Sequence, residues 1–252
     1  MSFNTAIKPQ AAAFKIWRAL GHIHPNEVDL EDLAMFRGVL VTPGGVSGAS
    51  GRLIRNGNNG IIRYNQKIKQ PGKVRFTIAH ELGHWELHAD KSQFLLCNES
   101  DMRDYGRSPM EIEANIFAAG LLMPTKHFSE SANASPPSIE TIKRLAGEFN
   151  TTLTSTAIRL AETSSRNIQV VWSENGFIKW SYMKKNSRTH KIKSGRLPSY
   201  CSANLPSNEV VDYMDHYDQA NWFSHNRHEY EVMEQSFHMG NIQACLTVLE
   251  IN

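Results

Sequence analysis

A chain of 252 residues, 40% hydrophobic and 21% charged, has enough apolar material for one large domain or two small ones. Its 27 Lys and Arg against 25 Asp and Glu leave it close to neutral, which speaks against disorder and gives no basis for a nucleic-acid or membrane-surface protein. Cys97, Cys201 and Cys245 form neither a disulfide framework nor a CxxC pair, no apolar run approaches the roughly 18 residues of a transmembrane helix, and residues 1–13 do not read as a signal peptide, so the expectation is a cytoplasmic protein without a membrane partner.

In chain order, residues 11–37 carry apolar side chains at helical spacing, interrupted at 21–26 by Gly21 and Pro25. A Gly-rich passage covers 43–51. Two short β-rich runs, 52–55 and 61–64, then flank Asn56-Gly57-Asn58-Asn59-Gly60, a hairpin signal because Asn and Gly tolerate positive φ. Residues 73–89 read as one helix, and a second opens at Ser108-Pro109 and ends at Pro124. A loop at 131–137 leads into a helical pair over 138–162, cornered at Asn150-Thr151. Beyond 164 come two more hairpin signals, around Glu174-Asn175-Gly176 and Met239-Gly240-Asn241, with a polar, His-rich stretch at 207–228 between them. The boundary is placed near 164, giving a domain over 1–164 and a small β-rich domain over 165–252.

The chemistry concentrates in His80-Glu81-Leu82-Gly83-His84. Four residues make about one helical turn, so both imidazoles leave the same face and can reach one zinc ion, with Glu81 beside it as general base. A catalytic zinc takes three protein ligands and keeps one place for water. His88 is about 12 Å along the axis from His80, too far to share the ion, and reads as a structural or supporting residue. The third ligand is sought on the following helix, where Glu111 shares a face with Asn115, whose amide could orient a ligating histidine. Glu113 is predicted to project nearly opposite. Glu111 is the choice, although Ser108-Pro109-Met110-Glu111 is also a capping-box pattern that would free Glu113 to be the ligand instead. Gly83 and the small residues Ala114, Ala118 and Ala119 would let the two helices approach closely.

The blocks Arg75-Phe76-Thr77-Ile78-Ala79-His80-Glu81-Leu82-Gly83-His84 and Glu111-Ile112-Glu113-Ala114-Asn115-Ile116-Phe117-Ala118-Ala119-Gly120-Leu121-Leu122-Met123-Pro124 resemble the ImmA/IrrE family of zinc metallopeptidases. The likeness spans about residues 52–160. It implies an α+β, gluzincin-like protease domain with helices on a small β-sheet, here followed by the helical pair and the β-rich domain. It also implies a Zn2+ cofactor, a cytoplasmic setting and a protein substrate, since better-known members cut helix-turn-helix transcriptional repressors. The family's first Glu of the second block is its third ligand and maps to Glu111. The tail beyond 164 is too short for the sensor domain of the radiation-response members.

Zinc would lower the pKa of a bound water, and Glu81 would take the proton as that oxygen attacks a peptide carbonyl. Tyr105, His127, His216 and His225 are candidates by type for a second oxyanion donor. The 61–64 strand could offer its edge to an extended substrate, or simply be paired within its own sheet. A competing class is a DNA- or protein-binding regulator with a degenerate protease body, suggested by the helix-turn-helix flavour of 138–162. The second helix carries little positive charge, and packing against the protease core is the expected role. A purely structural zinc site ranks last, because no cysteine has ligand spacing to His80.

Overall fold

The computed structural model describes residues 4–21, 24–89, 94–98, 108–184, 192, 194–199, 201–204, 211–217, 222–223, 232–239 and 243–251. They form a mixed α+β architecture with two sheets and seven α-helices among the described residues. The chain divides into two compact units, Met1–His127 with Ala146–Thr152, and Phe128–Leu145 with Leu153–Asn252. The boundary read near 164 falls inside the second of these.

In the first unit, α1 (Asn4–Leu20) and α2 (Leu30–Phe36) surround the break predicted at 21–26. Asp29 caps α2 by accepting from the backbone N–H groups of Glu31 and Asp32, which would otherwise be unpaired at the helix start. Four strands follow the order β1 (Val39–Gly44), β3 (Asn59–Asn65), β2 (Ala49–Asn56), β4 (Phe94–Asn98). The predicted hairpin is β2–β3, turning at Gly57 with φ of 59°. The strand at 61–64 has no free edge, however. β3 lies between β2 and β1, the latter parallel to it with Leu40 opposite Ile61, so its backbone groups are spent within the sheet. The edge strands of this sheet are β1 and β4.

Helix α3 (Pro71–Leu87) lies on β2 and β3, and α4 (Pro109–Leu122) packs along α3. α3 is buried all round from Thr77 to Trp85, so its polar side chains must find partners inside the protein. Close approach to α4 depends on Gly83, where a Cβ would stand 3.1 Å from Ala114 Cα. Helix α1 covers the far side of α4, with the Trp17 indole N–H donating to the Leu121 carbonyl at 3.0 Å.

Helix α5 (Thr125–Ala132) follows Pro124, and α6 (Ile139–Glu148) and α7 (Leu153–Thr163) form the predicted pair, cornered at Asn150 with φ of 47°. The second unit holds a sheet in the order β7 (Gly195–Arg196), β6 (Phe177–Met183), β5 (Ile168–Glu174), β10 (Ala244–Ile251), β9 (Val232–Met239), β8 (Val211–Tyr217), antiparallel throughout its described pairings. The Asn175-Gly176 turn of β5–β6 has φ of 52° and 76°, the left-handed pair a tight hairpin needs. β8 runs through the polar stretch whose composition does not announce a strand. Within the second unit, α7 packs against β5 and β6. No described helix is long and apolar enough to cross a membrane.

Candidate metal centre

The four-residue spacing on α3 puts the His80 and His84 rings 4.8 Å apart, with their Nε2 atoms 3.1 Å from each other. Glu111, in the first turn of α4, reaches both: Oε2 lies 3.0 Å from His80 Nε2 and Oε1 3.2 Å from His84 Nε2. The capping-box alternative is not used, because Ser108 makes no side-chain cap bond and Glu111 turns to the histidines. His80, His84 and Glu111 thus form a group that could hold a metal ion.

Asn115, one turn beyond Glu111, sits with Oδ1 2.9 Å from His80 Nδ1. His88 is the residue after α3, with φ of −124° and ψ of 34°, and its backbone N–H still donates to the His84 carbonyl. Its Nδ1 lies 3.0 Å from His84 Nδ1, and its Nε2 lies 2.9 Å from Glu113 Oε2. Glu113 is therefore placed on His88 rather than in the ligand group, and does not project away from α3 as its position on an ideal helix predicts.

The donor set suits a cation. A hydrogen on His80 Nδ1 serves Asn115 Oδ1, which leaves Nε2 as a lone pair facing a carboxylate and a second imidazole. Both ring side chains are 0% exposed, so bulk water does not dilute their electrostatics. Burial alone would raise the Glu111 pKa, yet the His80 and His84 imidazoles beside it outweigh that and hold the carboxyl well below the usual range. For His80, burial favours the neutral ring, but Glu111 and the nearby charge of Glu81 prevail and raise its pKa. His84 moves the other way, because burial and the neighbouring His80 prevail. Two imidazoles and a carboxylate that converge in this way form a donor set that could hold a metal ion.

Glu81 is buried beside the pair. Its place depends on Gly51 of β2, where a Cβ would stand 2.7 Å from Glu81 Oε1 and 2.6 Å from Thr77 Cγ2. Sequence reading missed this glycine, since the hairpin signal begins only at 52 and nothing local marks Gly51 among the glycines of 43–51. Of the residues considered as oxyanion donors, His127 has the Trp17 and His24 rings as neighbours, with centroids 6.3 and 6.4 Å away. Tyr105, His225 and the side chain of His216 lie outside the described residues.

Residues 37–161 match the family model of the IrrE N-terminal-like domain, a peptidase family of class M78. A solved structure of a Mycobacterium tuberculosis transcriptional regulator is similar in fold, with a TM-score of 0.60 at 15% identity, covering 96% of this chain and 75% of that one. No curated protein matches the chain in sequence. The matched segment holds the whole His80, His84, Glu111 group, and through it the chain belongs to the ImmA/IrrE family, with a metallopeptidase-like domain.

Proposed function

We propose that the protein is a zinc-dependent endopeptidase, and that its substrate is a helix-turn-helix transcriptional repressor. The observation that carries the reading is the meeting of His80 Nε2, His84 Nε2 and the Glu111 carboxylate within 3.0 to 3.2 Å, next to buried Glu81. The two imidazoles and Glu111 would hold the ion, with Asn115 orienting His80. Bound there, zinc supplies Lewis acidity to a water and to the substrate carbonyl. The Glu81 carboxylate accepts a proton from the water whose oxygen bonds to the peptide carbonyl carbon. It then gives that proton to the amide nitrogen as the C–N bond breaks, leaving a free carboxylate and a free amine. The choice of a repressor as substrate, and a cytoplasmic setting, rest on the family resemblance.

A regulator as fold neighbour favours a second reading, a DNA- or protein-binding regulator with a peptidase-like body. Against it stands α7, buried from Thr156 to Ala161, with Arg159 in an ion pair to Glu162 at 2.7 Å, which leaves few side chains for a groove. DNA affinity falling steeply with salt would support that alternative. The deciding assay incubates the zinc-loaded protein, and its Glu81→Gln variant, with the repressor encoded nearest its gene. Specific cleavage by the first is expected, with a rate about 10²–10⁴-fold lower for the second. A variant that cuts as fast as the parent removes Glu81 as the base, and with it this mechanism.

A further inference from the structure

We infer that Glu113 and His88 form a positioning relay that fixes the tautomer of His84, keeping its Nε2 bare toward His80 and Glu111. The inference rests on the metal-centre reading above and adds the means by which one ligand is prepared. It follows from counting hydrogens along a line of four atoms. A carboxylate only accepts, so Glu113 Oε2, 2.9 Å from His88 Nε2, requires the His88 hydrogen on Nε2. A neutral ring then presents Nδ1 as a lone pair. His84 Nδ1, 3.0 Å from that lone pair, has to supply the next hydrogen. What remains on His84 is a bare Nε2, 3.1 Å from His80 Nε2 and 3.2 Å from Glu111 Oε1. The opposite tautomer would place an N–H where a cation belongs.

His84 and His88 are both buried, with rings 5.0 Å apart, while the Glu113 side chain is 19% exposed. The relay thus runs from the core to the rim. His88 is the C-cap of α3, one turn beyond His84, so its ring falls beside that of His84 while its other nitrogen stays within reach of α4. The two histidines are served by unlike partners: His80 by the neutral amide of Asn115, His84 by an imidazole that ends in a carboxylate. Such a carboxylate raises the electron density of the distal nitrogen as well as orienting the ring.

Imidazole nitrogen NMR of the zinc-free wild-type protein tests the relay without any variant having to fold. The expected spectrum has His84 protonated on Nδ1 and bare on Nε2. Glu113→Leu is expected to lose that order and to bind zinc about 10–100-fold more weakly in a chelator competition. Glu113→Gln, whose amide oxygen can still accept from His88, should recover most of both. A merely structural role would lower the melting temperature of Glu113→Leu and leave the tautomer alone. The relay is overturned by a wild-type His84 protonated on Nε2, or by a folded Glu113→Leu with unchanged tautomer and zinc affinity. A wild type with the expected tautomer that binds no zinc supports the relay and sinks the endopeptidase reading, so the two failures are told apart.

Discussion

Each unit buries a cluster of polar side chains, and the two clusters are balanced in opposite ways. In the second unit, buried Glu234 accepts from the Ser202 backbone N–H and from the Trp222 indole N–H, while the hydroxyls of Ser202, Ser236 and Thr247 join at 2.6 and 2.7 Å. Every acceptor there faces a donor, and the result ties Ser202 and Trp222 to strand β9. In the first unit, two imidazole nitrogens and a carboxylate meet at similar distances, with their remaining polar atoms arranged so that lone pairs face inward. A balanced cluster is complete in itself and serves the fold. A surplus of acceptors calls for a cation, and that surplus marks the cluster that can do chemistry.

The contrast breaks most visibly if zinc fails to stabilise the first unit. Zinc at about 1,000 times its Kd is expected to raise the free energy of unfolding by about 4 kcal/mol. His80→Ala should abolish that increment, because it removes one of three converging ligands. Denaturant unfolding with and without zinc measures both. An equal zinc shift in parent and variant would mean that the ion binds elsewhere. The balanced cluster should respond to a different lesion. Glu234→Leu strands the Ser202 N–H and the Trp222 indole N–H, each costing about 1–3 kcal/mol, for a loss of about 3 kcal/mol in the second unit. Zinc affinity should not change. A variant as stable as the parent would show that the carboxylate is not what holds Ser202 and Trp222 in place.

Parts of this arrangement that depend on neighbours in the chain were legible from the residues. The turns at Gly57 and at Asn175-Gly176 declare themselves because positive φ is cheap only for such residues. The four-residue spacing of His80 and His84 fixes their common face once α3 is recognised, and the same spacing aligns Glu111 with Asn115. Parts that depend on distant chain were not legible. Pairing of β1 with β3 is parallel and crosses β2 in sequence, so no turn residue signals it, and the 61–64 strand could look like an edge. Glu113 was misplaced because an ideal helix sends it away from Glu111. Its partner His88 is the C-cap of a different helix, and a wheel drawn for one helix says nothing of which residues of another it meets. The packing of α7 on β5 and β6 joins elements that follow one another in the chain, yet an apolar helix face alone does not say which sheet it covers.

Gly51→Ala sharpens the comparison with the smallest expected change, because it perturbs the chemistry of the first cluster without touching a ligand. The added Cβ would stand 2.7 Å from Glu81 Oε1 and 2.6 Å from Thr77 Cγ2, both closer than carbon tolerates. Both contacts are side-chain atoms, so the strain is relieved only if Glu81 rotates and the buried Thr77, held by its bond to the Lys73 carbonyl, also shifts, at a cost of about 2 kcal/mol in stability. His80, His84 and Glu111 lie on other contacts and should keep their zinc affinity. The proton-accepting carboxylate, however, is moved by a few tenths of an ångström or more. A positioned general base is sensitive to displacement on that scale, and the turnover rate is expected to fall about tenfold with KM little altered. Steady-state cleavage of the repressor, paired with zinc titration, separates the two effects. If Gly51→Ala lost zinc and activity together, β2 would be a wall of the metal site itself; if it kept full activity, Glu81 would not need the space that the glycine leaves.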